Sequence, residues 1–384
     1  MLDPTPKDSA TPPQPKPSPN PRATILVCYH KFSKPIIASE ILRPIIVGAA
    51  NMGEEAKILQ EKLESKLPRK LRLGGGQQIA LESSAQVDSM DCRATADAVS
   101  RNDSSFSHCE RSEAIHDSSP KAQSLVLRDD DGENISHLNA NFCELTAMYW
   151  AWKNVDSSYY GLFHYRRILD LSEQAQQIRT DYPIIVSPRS YNPGRQGLTS
   201  ENITKLLGQY DIILPQGYKN HYDLPCDEGL DNYGIYAHYH YAKDLDRIIE
   251  LIKSRHPEMT NALEKVLFTY PPKWHIANMF IMRKDLYNEY CAWLFSLLFD
   301  LSKETDLSDY TPYQARIYGF LSERMFNIWL EYQRQTTQPR ILEAPMLLFA
   351  KHTKPLIGWE INEKYKRFYL FGLRLYKKRV NPKN

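Results

Sequence analysis

The tetrapeptide His164-Tyr165-Arg166-Arg167 follows the apolar run 160–163 and carries an imidazole and two guanidinium groups. Arginine donors pair with phosphate oxygens and stay charged at every working pH, so two arginines where a buried strand meets solvent favour a phosphorylated ligand. Because adjacent residues of a strand point to opposite faces, one arginine could instead lie in a surface salt bridge. We expect an anion site here, most simply for a diphosphate, with His164 and Tyr165 beside it.

Two further polar clusters lie at strand-like apolar runs. His30 and Lys31 follow residues 24–29, and Asn278 lies in the run 277–282. Ligands of open parallel sheets bind at the carboxyl ends of the strands. We therefore expect His30, Lys31 and Asn278 to bind substrate, if the order of the strands brings them together.

An acidic triplet, Asp129-Asp130-Asp131, follows the short apolar run 125–127 and precedes Asn134. Asp129 and Asp131 have the spacing at which two carboxylates hold a divalent cation that bridges a nucleotide diphosphate, and hard oxygen ligands suit Mg²⁺ or Mn²⁺. An acidic triplet before glycine is equally typical of a turn in which Asp side chains bond the backbone. We expect Asp129, Asp131 and Asn134 to contact the substrate, and the two aspartates to be the ligands if a metal is used.

Two glutamates on predicted helices are candidates for a general base. Glu144 lies off the apolar stripe of its helix, and Glu323 lies in a helical pattern beside Arg324. Either carboxylate could take a proton from an acceptor hydroxyl, although a lone helical glutamate is more often part of an ion pair, here with Arg324 or Arg316. His275 follows a tryptophan, and such aromatic faces stack on sugar rings when they do not belong to the core.

The composition is that of an ordinary globular protein. The chain has 384 residues and a formal net charge of +2, and it has no basic stripe with interleaved aromatics, which excludes a nucleic-acid partner. No apolar run approaches the roughly 20 residues that span a bilayer, and the N-terminus is too polar and proline-rich for a signal peptide. The six cysteines are scattered without close pairs, which argues against a zinc knuckle or a disulfide framework. We expect a cytoplasmic protein with reduced thiols.

The chain divides by composition into an arm, a domain and a tail. Residues 1–21 repeat proline among small polar residues, which predicts a disordered arm. Residues 22–350 form the predicted domain, interrupted at about 51–124 by a Ser-, Asp-, Arg- and Gly-rich stretch that resembles the translation of bacterial palindromic repeat elements. Residues 351–384 are basic and aromatic, which is typical of an anchor at a membrane surface or of a terminal helix packed on the domain.

Strand-like runs alternate with helical patterns along the domain. Residues 24–29 and 160–163 have strand length, and apolar residues recur at helical spacing in 138–152, 232–255 and 313–332. This alternation predicts an α/β fold with a mostly parallel sheet flanked by helices.

Seven blocks of sequence in the domain carry a family resemblance. They are Asp131-Gly132-Glu133-Asn134-Ile135-Ser136, Cys143-Glu144-Leu145-Thr146, Tyr149-Trp150-Ala151-Trp152-Lys153-Asn154, Gly161-Leu162-Phe163-His164-Tyr165-Arg166-Arg167, Asp211-Ile212-Ile213-Leu214-Pro215, Asn278-Met279-Phe280-Ile281-Met282 and Gly319-Phe320-Leu321-Ser322-Glu323-Arg324. Together they resemble a bacterial family of capsular-polysaccharide and O-antigen glycosyltransferases that was formerly described as a domain of unknown function. The resemblance covers roughly 24–48 and 125–349, and the number and order of the blocks make it specific.

The resemblance implies a nucleotide-sugar-dependent hexosyltransferase with a Rossmann-like glycosyltransferase A fold. It further implies that galactose or galactofuranose passes from a UDP donor to a glycan or lipid-linked glycan. If the basic, aromatic tail is an anchor, the protein acts at the cytoplasmic surface of the inner membrane. Most enzymes of that fold hold a metal with an Asp-x-Asp motif on a mid-sheet strand end. Here His164 to Arg167 take that kind of place.

These expectations combine into one mechanism. His30, Asp129 and Asp131 hold the nucleotide, and the two arginines of the tetrapeptide neutralise charge on the departing diphosphate. Glu323 takes the proton from the acceptor hydroxyl, and the product has inverted anomeric configuration. The alternatives are an inactive nucleotide- or carbohydrate-binding protein and a nucleotidyltransferase, although the sequence has no glycine-rich phosphate loop to support the latter.

Overall fold

The computed structural model describes residues 22–68, 71, 124–218, 229–350, 357–361, 365–370 and 373–379. The predicted arm, 1–21, and most of the predicted insertion, 72–123, lie outside these residues. Within the described ranges, no helix combines the length and the hydropathy needed to cross a membrane.

A mixed ten-stranded sheet forms the centre of the described structure. Its strands are β1 (Ala23–Tyr29), β2 (Leu42–Ile46), β3 (Leu127–Arg128), β4 (Tyr159–His164), β5 (Arg167–Leu169), β6 (Ile184–Val186), β7 (Ile212–Pro215), β8 (Phe280–Arg283), β9 (Ile341–Ala344) and β10 (Met346–Phe349). Strands β1, β2 and β7 are buried along their whole length, as expected of apolar runs covered on both faces of a sheet.

The strand order places the predicted site at one edge of the sheet. The order is β3-β2-β1-β4-β5-β10-β6, and β8 pairs with both β4 and β7 while β9 pairs with β7. Strand β1 is parallel to β2 and β4, β2 to β3, β6 to β10 and β7 to β9, whereas β5 and β8 run antiparallel to their neighbours. Because β1, β2 and β4 run in the same direction, their carboxyl ends meet at a common edge.

A tight hairpin joins β4 to β5 at that edge. His164 ends β4 and pairs across the ladder with Arg167, the first residue of β5, and Tyr165 and Arg166 form the turn between them. Cross-strand partners in an antiparallel pair share a face of the sheet, so the imidazole of His164 and the guanidinium of Arg167 lie side by side. The tetrapeptide is therefore a turn and not four consecutive residues of one strand.

Helices cover both faces of the sheet in the described part of the chain. They are α1 (Ala49–Met52), α2 (Glu54–Glu64), α3 (Asn139–Phe142), α4 (Leu145–Asn154), α5 (Glu173–Gln176), α6 (Ser200–Leu207), α7 (Asn232–Tyr239), α8 (Ala242–Arg255), α9 (Thr260–Leu267), α10 (Lys284–Glu304) and α11 (Ile317–Gln335), with 3₁₀ turns at Ser136–Leu138, Pro188–Ser190, Pro257–Met259 and Gln314–Arg316. Side-chain caps begin several of them; Thr199 accepts from the N–H of Asn202, and Asp231 from that of Gly234.

The core consists of two clusters, one on each face of the sheet. Alternation along β1 shows the division, since Leu26 and Cys28 belong to the cluster under α4, α10 and α11, whereas Ile25, Val27 and Tyr29 belong to the cluster under α2 and α6. The sheet is thus the middle layer of a three-layer sandwich, and packing on both faces fixes the positions of the strand ends.

Four predicted elements differ in the structure. The helical pattern 138–152 is broken at Cys143, which has φ 53°, and the pattern 232–255 is broken between α7 and α8. The first part of the predicted insertion contains α2, whose Leu59 and Leu63 are buried in the core. The tail forms an antiparallel three-stranded sheet, β11 (Ile357–Ile361), β12 (Tyr365–Leu370) and β13 (Leu373–Arg379), so the alternative of a terminal helix is wrong.

Candidate active site

A cavity of about 610 Å³ opens at the carboxyl ends of β1, β2 and β4. The strand ends and the β4–β5 hairpin form one wall. Helices α3, α4 and α11, with the residues that connect helices beside them, form the other. This is the place at which open α/β sheets bind ligands.

The structure separates the predicted site residues into two groups. Those that line the cavity are His30, Glu144, His164, Tyr165, Arg166, Arg167 and Glu323. Those that do not are Lys31, Asp129, Asp131, Asn134, His275 and Asn278. Several residues of the second group lie behind the cavity wall, where their hydrogen bonds hold its elements in position.

Arg166 and Arg167 are the cations of the cavity wall. Arg166 is exposed and Arg167 half-buried, and neither guanidinium makes a hydrogen bond or ion pair to any residue in the described ranges. An unpaired guanidinium retains five donors, which favours capture of a phosphate or carboxylate from solution. The hairpin therefore presents a positively charged surface to the cavity, and Arg167 is close enough to Glu323 to lower the pKa of that carboxyl.

His30 and Tyr165 form the floor next to the arginines. The two rings meet edge to face with their centroids 5.1 Å apart, and Tyr165 is also part of the buried core. Partial burial and the neighbouring cations Lys31 and Arg316 lower the pKa of His30. His30 is thus a neutral donor or acceptor at physiological pH. Lys31 itself is exposed and does not line the cavity.

Glu323 is a largely buried carboxylate on the opposite wall. Its Oε1 accepts a hydrogen bond from the N–H of Ala277 at 3.1 Å, and its Oε2 lies 3.6 Å from Nη1 of Arg324. Burial raises the pKa of Glu323, and Glu144 raises it further, against the opposing effect of Arg324 and Arg167. A carboxylate with a raised pKa is a stronger base than an exposed glutamate, which suits proton abstraction near neutral pH.

Glu144 lies at the break between α3 and α4 and faces the same cavity. Cys143 has φ 53° there, and α11 approaches so closely that a Cβ on Gly319 would lie 3.1 Å from the Cys143 sulfur. Asn278 donates through Nδ2 to Glu144 Oε1 at 2.8 Å and to Ser322 Oγ at 2.9 Å. Asn278 is therefore a positioning residue that joins the helix carrying Glu144 to the helix carrying Glu323.

Asp129 does not fit the predicted role of a metal ligand. The side chain is fully buried, and its two oxygens accept from the backbone N–H groups of Gly48 and Ala49 and from the hydroxyls of Ser136 and Thr146, at 2.5–3.0 Å. Four donors use all four lone-pair sites of a carboxylate. Asp129 instead fixes the start of α1 against α4, and it lies behind the cavity wall.

Asp131 and Asn134 both belong to the turn that follows β3. Asp131 accepts through Oδ1 from the indole N–H of Trp150 at 2.8 Å, and Asn134 accepts from the N–H of Ser136 at 3.1 Å. Among the described residues, no group of three or more His, Cys, Asp or Glu side chains could hold a metal ion. The turn alternative thus describes this segment better than the metal pair, and metal dependence stays a prediction.

His275 lies in the core and not in the cavity. Its Nδ1 donates to the carbonyl of Pro215 at 2.7 Å, and its Nε2 accepts from Arg334 at 3.2 Å. Burial lowers the pKa of His275 to about 4, although the nearby Glu343 carboxylate acts in the opposite direction. His275 therefore belongs to the core, the second of the two alternatives, and the prediction that it binds substrate is wrong because protein encloses the side chain.

Several residues of the cavity are not predicted from the sequence. They are Asn139, Cys143, His240, Tyr313, Arg316 and Phe320. A usable signal exists for two of them, since Arg316, Phe320 and Glu323 follow one another at four- and three-residue steps and therefore share a helix face. Nothing in the local sequence of His240 indicates a site, because it comes from a break between two helices.

Comparison with known proteins assigns the chain to a family. Residues 113–335 match the profile of a family described as "Domain of unknown function (DUF4422)", which is more than half of the 384-residue chain. The chain belongs to the DUF4422 family. A search of curated proteins found no match.

The DUF4422 chain is also similar to a solved structure described as the apo form of the bifunctional glycosyltransferase WbbM. The two share 24% sequence identity with a TM-score of 0.61, over 86% of this chain and 46% of that one. The chain thus spans about half the length of WbbM. The similarity confirms the predicted fold class, a mixed, mostly parallel sheet flanked by helices.

Proposed function

We propose that the protein is a glycosyltransferase that moves a hexose from a nucleotide diphosphate donor to a hydroxyl group of a growing surface glycan. The observation that carries the proposal is that Arg166 and Arg167 line the same cavity as Glu323, a largely buried carboxyl with a raised pKa, and that neither guanidinium makes a hydrogen bond or ion pair within the described ranges. The fold similarity to WbbM, which is described as a glycosyltransferase, supports it.

The arginines act on the leaving group. As the bond between C1 of the sugar and the diphosphate oxygen breaks, its electron pair passes to the diphosphate. Arg166 and Arg167 donate to the oxygens on which this charge develops, and preorganised donors in a partly enclosed site stabilise such a transition state strongly. His30, on the floor of the cavity, contacts the nucleotide or the donor sugar.

Glu323 acts on the acceptor. An acceptor hydroxyl attacks C1 from the side opposite to the diphosphate, and its proton passes to Oε2 of Glu323, the oxygen that lies 3.6 Å from Nη1 of Arg324. The N–H of Ala277 holds Oε1 and fixes the direction of the carboxylate. A single displacement of this kind inverts the anomeric configuration.

The donor is expected to be UDP-galactose or UDP-galactofuranose, as the sequence resemblance implies. No step of this mechanism uses a metal ion, because the arginines supply the positive charge and Asp129 has no free lone pair. The acceptor is a glycan or a lipid-linked glycan, and the site of action is the cytoplasmic side of a membrane.

The test is binding and turnover of a UDP-sugar panel by the purified chain, with EDTA and with Mn²⁺. We expect tight UDP binding and release of UDP from one donor. Replacing both arginines, Arg166→Ala with Arg167→Ala, should weaken UDP binding by at least about 100-fold, since each charge-assisted hydrogen bond contributes about 1.5–3 kcal/mol and at least two are lost.

The matched control is Arg195→Ala, which removes an exposed arginine outside the cavity and should leave UDP affinity unchanged. Equal UDP affinity in the double variant and the wild type would contradict the assignment of the arginines. Tight UDP binding without release from any donor, even with a panel of glycan acceptors, would favour an inactive binding protein.

A further inference from the structure

An aromatic cluster forms the helical end of the cavity, away from the arginine hairpin. The rings of His240 and Phe320 stack with centroids 4.1 Å apart, and Tyr313 lies against both, 6.0 Å from His240 and 5.2 Å from Phe320. All three residues line the cavity. We call this set the aromatic wall.

The aromatic wall has one open surface. The Tyr313 residue is 55% exposed, although it is large and apolar, while His240 and Phe320 are half-buried behind it. Exposure of a large ring at the mouth of a cavity lowers the free energy of binding any ligand that covers it.

The wall is held rigidly by Gln314. Gln314 donates through Nε2 to the carbonyl of Tyr239 at 2.7 Å, which turns its Oε1 towards His240 Nδ1, 3.0 Å away. Nδ1 of His240 must then carry the proton. Burial lowers the pKa of His240 to about 4, so the ring is neutral and its Nε2 is left as an acceptor.

The aromatic wall comes from the helical layer and the arginine hairpin from the sheet, and the guanidinium of Arg316, which also lines the cavity, lies 5.4 Å from the centre of the Phe320 ring. The strand ends and the arginine hairpin form the opposite side of the cavity, where an open α/β sheet binds nucleotides. On helix α11, Phe320 precedes Glu323 by three residues, so the two side chains are neighbours on one face. A ring that stacks on the wall would therefore have its hydroxyls beside Glu323.

We propose that the aromatic wall is the acceptor subsite, in which the exposed ring of Tyr313 stacks on the apolar face of the acceptor sugar and presents one of its hydroxyls to Glu323. The inference rests on the proposed glycosyltransferase function. A pyranose or furanose ring has C–H groups on one face and hydroxyls at its rim, which matches an exposed aromatic face beside a carboxylate and a neutral imidazole acceptor.

The test is saturation-transfer NMR on the full chain, first without UDP and then with saturating UDP. Aromatic protons of the protein are irradiated, and transfer to the ring protons of methyl β-galactopyranoside, methyl β-glucopyranoside and methyl α-mannopyranoside is measured. We expect transfer to at least one glycoside. Tyr313→Ala should weaken its binding about two- to tenfold, in line with the contribution of an aromatic contact, and Tyr313→Phe should restore it.

The matched control is Tyr270→Ala, since Tyr270 is equally exposed, at 57%, but lies outside the cavity. The acceptor assignment is overturned if UDP abolishes the transfer, because the wall would then bind the nucleobase. It is also overturned if no glycoside receives transfer while UDP binds, or if Tyr270→Ala has the same effect as Tyr313→Ala. Absence of UDP binding would instead count against the proposed function itself.

Discussion

Nε2 of His164 lies 2.8 Å from the carbonyl oxygen of Ala277, and this contact fixes the imidazole as the tautomer that carries its proton on Nε2. The N–H of the same alanine donates to Glu323. Ala277 and Asn278 have φ values of 74° and 48°, a left-handed conformation that residues other than glycine rarely adopt. One strained turn therefore holds a residue of the hairpin wall and the base of the helical wall in a fixed relation.

Glu323→Gln should abolish transfer and leave UDP binding intact. The amide has nearly the shape of the carboxylate but cannot take a proton, and loss of a general base costs about 10²- to 10⁴-fold in rate. Because burial raises the pKa of Glu323, the acid limb of the pH–rate profile should lie above the range of an ordinary glutamate. Steady-state release of UDP across pH 4–9 measures the loss of rate and the position of the acid limb. Retained transfer in the variant would remove Glu323 from the mechanism.

Asp129→Ala should destabilise the protein and leave its affinity for Mn²⁺ unchanged. The substitution removes the acceptor of two backbone N–H groups and two hydroxyls, and we expect a loss of about 2–5 kcal/mol of unfolding free energy. Denaturant unfolding measures the stability, and electron paramagnetic resonance measures free Mn²⁺. Asp309→Ala is the control for loss of an exposed carboxylate. A variant of normal stability that loses Mn²⁺ binding would restore the metal-ligand hypothesis.

Two substitutions at Asn278 should separate its backbone role from its side-chain role. Asn278→Gly keeps the left-handed backbone without strain but removes the hydrogen bonds to Glu144 and Ser322, whereas Asn278→Ala also introduces strain. We expect both variants to release UDP about tenfold more slowly, by loss of a hydrogen bond to a charged group. The alanine variant should also be less stable by about 1 kcal/mol. Full activity of the glycine variant would show that Asn278 does not position Glu144.

Stability should fall as the pH is lowered from about 6.5 to about 4. Burial lowers the pKa of both His240 and His275 to about 4 in the folded state, so in this window the unfolded chain binds more protons than the folded one. The stabilisation is present above pH 6.5 and is lost as the pH approaches 4. His275→Gln should make denaturant midpoints at pH 7 and pH 5 more alike, and His137→Gln, at an exposed site, should not.

The tail should bind anionic vesicles if it is the predicted membrane-surface anchor. Leu375, Tyr376, Lys377 and Lys378 on β13 are exposed, which suits contact between aromatic and basic side chains and lipid headgroups. Replacing both lysines by glutamate should abolish flotation with phosphatidylglycerol vesicles. The same change at Lys34 and Lys66, two exposed lysines elsewhere, is the control; equal flotation of all three proteins would exclude the anchor.

Strands β1 and β4 were predictable because their apolar runs are buried on both faces. Strands β1 and β4 begin and end within one residue of the predicted runs 24–29 and 160–163. The hairpin turn itself was not predicted, because a two-residue loop without glycine or asparagine lacks the usual signal of such turns.

The remaining parts of the site depend on contacts between distant segments. Asp129 and Glu144 are both acidic residues near the start of a helical pattern, and only the donors around them distinguish a saturated structural carboxylate from one that faces a cavity. The aromatic wall combines His240 with Tyr313 and Phe320, which are more than seventy positions further along the chain. No local pattern indicates such a pairing.

The hydrogen bonds between α2 and the residues just before β3 make this fold tolerant of residues inserted between the two elements. Gln60 donates to Ser124 Oγ at 2.7 Å and to the carbonyl of Val126 at 2.8 Å, and Ser124 also bonds Glu64, so the chain leaves the sheet edge and returns to it at fixed, adjacent points. The entropic cost of closing a loop grows only with the logarithm of its length. A gene could therefore acquire a foreign segment between residues 72 and 123 and still encode the same arrangement of β1, β2 and β4, which makes this edge a natural point for insertions during evolution and for engineered fusions.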